Sequence, residues 1–532
     1  MLTPMSLIAI GLGLAYVVSL RWTRDRVLTA IVVLAYLIRS GLALALYALS
    51  SWRVPFFHDL QLGDGFWAFA PDSVYYHEYA KAAVVALRAH LELPYAYGSP
   101  DYPLMVAGLY QVTGPHPLVP ISVNIWLASL TVLLAYVLAR RLWTIDGARV
   151  AAALVAFWPS SILWSTQVLK DTIEIFFIVA FLYTFSRLAD RLDVARREEA
   201  LRMVALAAAA FLTLAGAYVL RFYIGLALLI SSLTVLAIAT ASDGWRKRYA
   251  RATAGVGLAI SLICAIWVGT WISSEGVAKP VDPAGTSRRL AAHMVSIGDL
   301  DGALWQLQTA LLQEKDAPSD RAERERRVRP ELKRLISANG DLGLDTRDEP
   351  TPPDAESAGE AEPARSPAFL EEMFGLVSLS QLQATRAGYF QDARSLIADP
   401  NESVDTAGAF IRLAPQAFAN ALFSPHPWTR FETAGSTGIF RRVAIIEVLF
   451  IPLLLYFSAT GVRSLFRRQW QLGLLLALYS VIVTAALGYT IPVVGVLFRL
   501  RLAVLVPLCI LAGGGHLPVY VARLCDRNGR PA

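Results

Sequence analysis

The sequence predicts an all-α polytopic membrane protein, and three observations carry that reading. Hydrophobic residues make up 55% of the 532 and charged residues only 17%, with a mean hydropathy of +0.48; a soluble chain carries about 25% charged residues. Apolar runs recur at lengths near the roughly 20 residues that cross a hydrocarbon core. Arginine clusters follow every second run, which is the bias that orients inserted helices.

The runs at 5–20, 27–50, 118–138, 150–168, 172–187, 203–219, 222–240, 253–273, 441–460, 471–489 and 502–522 predict about eleven transmembrane helices. The first run lacks a basic leader and a small-x-small cleavage site, and its charges follow it, so it reads as a retained helix rather than a signal peptide. Basic clusters at Arg21/Arg24/Arg26, Arg140/Arg141/Arg149, Arg187/Arg191/Arg196/Arg197/Arg202, Arg246/Lys247/Arg248/Arg251, Arg463/Arg467/Arg468 and Arg523/Arg527/Arg530 fit one topology, with all of them cytoplasmic. The N-terminus is then outside and the C-terminus inside. These clusters account for the net charge of +6, so the charge predicts no nucleic-acid partner. Cys264, Cys509 and Cys525 form neither a disulfide framework nor a metal-ligand spacing.

This topology divides the chain into an extra N-terminal helix and turn (1–26), a transmembrane core (27–273), an extracytoplasmic region (274–440) and three C-terminal helices with a tail (441–532). Two long segments lie outside. The first, 51–117, holds an interfacial helix from Ser73 to about Leu91 and a shorter one after Pro103 that ends at Gly114-Pro115. The second is helical over 287–337 and in pieces over 367–423. Between them, 338–367 carries eight carboxylates against two arginines, with five prolines, and predicts a disordered acidic insertion. The triple glycine at 513–515 predicts close packing or a helix end.

Four basic residues fall on the outer side, where the positive-inside rule supplies no reason for them. Lys170-Asp171 must mark an outer hairpin turn, Arg221 marks another, and Arg499 and Arg501 precede the last run. Ionisable groups at the hydrocarbon edge are costly unless paired, and they are functional candidates. One reading pairs them with nearby carboxylates; the other makes them an anion site at the depth of a lipid phosphate. Asp72 opens PDSVYYHEYA and is either a helix cap or a general base for an acceptor hydroxyl. Asp101, in SPDYP, is a second candidate base or a turn residue. His77 and Glu78 adjoin Asp72 and offer a divalent-metal alternative, although no tight ligand spacing supports it; no cofactor is required. Tyr76 belongs to a set of loop aromatics that form either a ring-stacking surface or an interfacial belt.

The order of DSVYYHEYA, YPLMVAGLYQVTG, SVNIW, FWPSSILWSTQVLKD, YVLRFY and FRLRLAVLVP resembles bacterial members of the GT-C superfamily. These polytopic glycosyltransferases include relatives of the protein mannosyltransferases and the lipid A aminoarabinose transferases. ALFSPHPWTRFE resembles a branch linked to surface-polysaccharide assembly. The resemblance covers most of 27–240 and 418–515. It implies a GT-C-like bundle in the bacterial cytoplasmic membrane, active on the periplasmic or extracellular face. The reaction it implies transfers a sugar from a polyprenyl-phosphate donor to an extracytoplasmic acceptor, alongside other polysaccharide-assembly proteins. It carries the family's first-loop aspartate onto Asp72 and its donor-phosphate cations onto Lys170, Arg221, Arg499 and Arg501, with Tyr76, Glu78, Asp101 and Asp171 in support. The chain has no WWDYG-like motif, which argues against an oligosaccharyltransferase.

Three other functions compete. A polysaccharide polymerase or O-antigen ligase also presents outer arginines. A non-catalytic assembly protein keeps the scaffold alone. A flippase or transporter needs charges or broken helices at mid-bilayer, whereas the charges here are expected at the outer rim.

Overall fold

The computed structural model describes residues 4–55, 57–94, 100–192, 200–242, 283–313, 321–341, 382–383, 386, 406–426, 438–515 and 517. Over these residues the chain is a helical bundle. The first helices are α1 (Pro4–Thr23) and α2 (Arg26–Ser51). A loop bears α3 (Asp72–Arg88) and α4 (Asp101–Thr113). The core continues with α5 (Leu118–Leu142), α6 (Ile145–Phe157), α7 (Pro159–Ser165), α8 (Asp171–Leu192), α9 (Ala200–Leu220) and α10 (Phe222–Ser242). A second helical unit holds α11 (Pro283–Ser296), α12 (Leu300–Leu312) and α13 (Arg321–Asp341). The C-terminal part has α14 (Ala407–Phe423), α15 (Gly438–Arg468), α16 (Trp470–Thr490), α17 (Val494–Leu500) and α18 (Leu502–Ala512).

Seven of these helices are long and apolar enough to cross a membrane, and nine spans result if each of two bent pairs counts as one. The chain is therefore a multi-pass membrane protein. Two of the eleven expected runs are bent pairs rather than single straight helices. Run 150–168 is α6 and α7, bent by 52° at Trp158-Pro159, where the proline has no N–H to continue the ladder. The last run begins earlier than 502, because α17 leads into α18 through a 41° bend at Arg501, and regular helix stops at Ala512 with Gly513 as its cap. Run 203–219 is the apolar stretch Val204–Leu220, just short of a full span. Run 253–273 lies outside the described residues.

Helix α18 is the axis of the bundle, with every residue from Leu502 to Ala512 buried. Backbones close around it through glycine. A Cβ on Gly461 would strike the Leu511 carbonyl, and one on Gly513 would strike the Gly147 carbonyl and the Ala151 methyl at 2.9 Å. Small residues of this kind let transmembrane helices approach without a hydrophobic driving force. The triple glycine therefore serves both as a helix end and as a packing seam.

The first loop is pinned to the end of α2. A two-stranded hairpin, β1 (Gln61–Gly63) and β2 (Phe66–Trp67), turns through Asp64 and Gly65, both at positive φ. Ser50 Oγ donates to the Phe66 carbonyl at 2.7 Å, and Trp67 Nε1 donates to the Leu46 carbonyl at 3.1 Å. Sequence reasoning did not anticipate this hairpin, although Asp-Gly between apolar residues is its usual signal. Helix α3 then lies between the bundle and the α11–α13 unit. Ala82 and Val85 pack against that unit, and Lys81 reaches Asp299 at 3.7 Å. Helix α13 runs to Asp341, past the expected start of the acidic insertion at 338; residues 342–367 lie outside the described residues.

Candidate functional site

Residues from four separated parts of the chain meet beside the start of α3. Asp72 is the first residue of α3, and Pro71 stands at the cap without a side-chain hydrogen bond. The carboxylate instead accepts from Arg499 at 2.7 Å, so Asp72 does not cap α3. Arg499 is the penultimate residue of α17, and its Nε lies 3.4 Å from Asp171 Oδ2. Asp171 opens α8 and accepts from Arg221 at 2.8 Å. Arg221, between α9 and α10, also donates to Glu174 and to Tyr223. Lys170 donates to the Leu220 carbonyl at 3.0 Å, next to Arg221.

The result is an alternating ladder of charge running inward from Asp72. Asp72 is its accessible end, with a side chain 41% exposed, against 13% for Arg499 and 4% for Asp171. Three cations face three carboxylates, so the ladder is formally neutral. Buried charges persist when paired and hydrogen-bonded in this way. An incoming anion therefore gains little from net charge. It must take an arginine away from its carboxylate, and Arg499 is the one whose partner already faces outward.

The loop leading into α8 is held by Asn124, whose amide donates to the carbonyls of Gln167 and Leu169 at 2.9 and 3.0 Å. That brace positions Lys170 and Asp171. Tyr76, one turn into α3, packs edge-on against Tyr102 with ring centroids 5.1 Å apart. Burial, and then the neighbouring Asp72 carboxylate, hold its phenol protonated well above the usual tyrosine range.

Of the residues singled out in the sequence, the structure brings together Asp72, Lys170, Asp171, Arg221, Arg499 and, beside them, Tyr76. It does not bring Arg501 there. Arg501 is fully buried at the α17–α18 bend, paired with Glu447 at 2.8 Å and donating to the Ser424 carbonyl at 2.6 Å. Glu447 in turn accepts from the Ser160 amide at 2.8 Å, at the start of α7. Arg501 is thus a strut between four helices rather than part of the rim cluster. Glu78 faces Lys81 at 3.2 Å, on the side of α3 toward Asp299, and burial raises its pKa. Asp101 opens α4. His77 is buried with Nδ1 2.7 Å from the Tyr110 hydroxyl. Among the described residues, no three His, Cys, Asp or Glu side chains form a group that would hold a metal ion.

Sequence reasoning missed Glu174, the inner member of the ladder. It sits one turn beyond Asp171 inside an apolar run, and that position was its signal. It also missed Arg39. This residue lies midway along α2, fully buried, donating to the Ala35 carbonyl and to Ser161 Oγ at 3.2 Å. No carboxylate among the described residues lies within ion-pair distance of it. The expectation that outer-side charge stays at the rim does not extend to Arg39, which is a membrane-embedded charge beside the α6–α7 break. No family model matches the chain, and no curated protein matches it.

Proposed function

We propose that this chain is a membrane glycosyltransferase that moves a sugar from a polyprenyl-phosphate donor to an acceptor at the face bearing Asp72. The observation that carries the reading is the contact between the first-loop carboxylate and the last-loop Arg499 at the membrane rim. A lipid phosphate lies at that depth, and Arg presents a fork matched to phosphate oxygens. The donor phosphate competes with Asp72 for Arg499. Its arrival frees the Asp72 carboxylate to take the proton of the acceptor hydroxyl as the sugar carbon is attacked and the lipid phosphate departs. Arg499, Arg221 and Lys170 then face the negative charge that develops on the leaving phosphate, where fixed cations in a low dielectric stabilise the transition state most. Asp171 and Glu174 hold these cations in place between turnovers. The test is transfer of label from radiolabelled polyprenyl-phosphate sugars by the purified protein in lipid, with Asp72→Asn as the control. A polymerase or ligase would retain activity in that variant.

A second reading, transport of a lipid-linked glycan, draws on Arg39 and the two bent spans, which are the mid-membrane features a transporter needs. Translocation of a fluorescent lipid-linked sugar in proteoliposomes, lost in Arg39→Gln and retained in Asp72→Asn, would favour it.

A further inference from the structure

At the opposite end of α2 and α5 from Asp72, the chain forms an open pocket of about 480 Å³. The α1–α2 turn contributes Arg24, Asp25 and Arg26, the end of α5 contributes Arg140 and Arg141, and α6 contributes Arg149. The positive-inside rule explains why arginines sit at this end of the bundle, but it does not explain why they surround a concavity.

The pairing inside the pocket is uneven. Asp25 is buried and fully engaged: it accepts from Arg149 Nε at 3.0 Å and Nη2 at 3.1 Å, from the Tyr136 hydroxyl at 2.7 Å, and from the Val27 and Leu28 amides that it caps. Burial works against its charge, but the bonds from Arg149 and Tyr136 prevail and hold its pKa down to about 2. Asp25 is thus a permanent anion that fixes Arg149 and the α1–α2 turn as a rigid floor. Arg24, Arg26 and Arg140 are exposed around that floor, and no carboxylate among the described residues lies within ion-pair distance of any of them. Arg24 adopts φ of 55°, a left-handed conformation that a non-glycine residue holds only when its surroundings impose it.

We infer that this pocket binds a phosphate or diphosphate group, carried by an anionic lipid headgroup or by a soluble compound. Its volume lies within the range of about 300–1,000 Å³ typical of small-molecule sites. Its position at helix ends suits a lipid headgroup, as do basic pockets between transmembrane helices generally.

The experiment uses the full-length protein in nanodiscs or detergent and reads thermal stability together with lipid retained in native mass spectra. One arm adds phosphatidylglycerol to a phosphatidylcholine background, and the other adds inorganic pyrophosphate. The variant is Arg24→Gln/Arg140→Gln. An Arg463→Gln/Arg467→Gln variant, with the same loss of charge elsewhere, is the control. The wild type and the control should be stabilised in at least one arm, and the pocket variant should bind that ligand about thirtyfold more weakly. Stabilisation by lipid alone identifies a headgroup site; stabilisation by pyrophosphate in lipid-free detergent identifies a soluble phosphate. Equal binding by the pocket variant and the wild type, equal weakening of both variants, or no stabilisation in either arm would overturn the inference.

Discussion

Asp72 and Arg499 are separated by 427 positions in the chain and lie 2.7 Å apart in the fold. One opens the first-loop helix, and the other stands just before the bend that admits the buried axis helix. Their contact ties the loop to the bundle at the most exposed carboxylate of the charge ladder. Because the Asp72 side chain is 41% exposed, its pairing contributes at most about 1 kcal/mol. Asp72→Asn should therefore fold and melt close to wild type, and a thermal scan checks this. A large loss of stability would mean that Asp72 is held for structure.

Arg501 behaves in the opposite way. Arg501→Ala or Glu447→Ala leaves an uncompensated charge in a buried site, which costs about 3–5 kcal/mol. Expression or melting temperature should fall sharply in either single variant. Arg501→Met with Glu447→Leu should recover part of the loss, as seen in a double-mutant cycle.

The α18 seam predicts a second stability effect. Gly513→Val places side-chain atoms where the Gly147 backbone and the Ala151 methyl already sit. The cost should be about 1–3 kcal/mol, the usual range for overpacking. Gly108→Ala, on a helix face with nothing nearby, is the control and should change little.

His77 makes the first loop sensitive to acid. Burial, reinforced by the charges of Lys81 and His116, lowers its pKa from 6.5 to about 3, so the folded protein keeps it neutral. The unfolded chain takes up a proton as pH falls below about 6.5. Stability is therefore fully present above that value and is lost as pH falls toward 3, by about 1.4 kcal/mol per pH unit. Melting curves between pH 7 and 5 should show a smaller decline in His77→Gln than in wild type.

Much of the fold was legible in the sequence because spans are written in composition. The bends were not, since hydropathy reports apolar length and not direction; Pro159 was the local sign of one of them. The rim cluster was partly legible. Lys170, Arg221 and Arg499 stood out because each interrupts an apolar run on the side that the arginine clusters leave empty. Arg501 stood out for the same reason, yet two residues across a bend from Arg499 it points into the core, and no sequence pattern specifies that turn. Glu174 and Glu447 were passed over as isolated carboxylates in apolar runs. Their roles exist only through arginines that are distant in sequence.

As proposed above, Asp72 is the base of a sugar transfer from a lipid phosphate. The most direct measurement is single-turnover loss of label from a polyprenyl-phosphate sugar by wild type and by Asp72→Asn at matched folded concentration. Wild type should transfer the label, and the variant should be slower by about a hundredfold or more. Equal rates in the two proteins, or no turnover with any donor in the panel, would contradict the proposal.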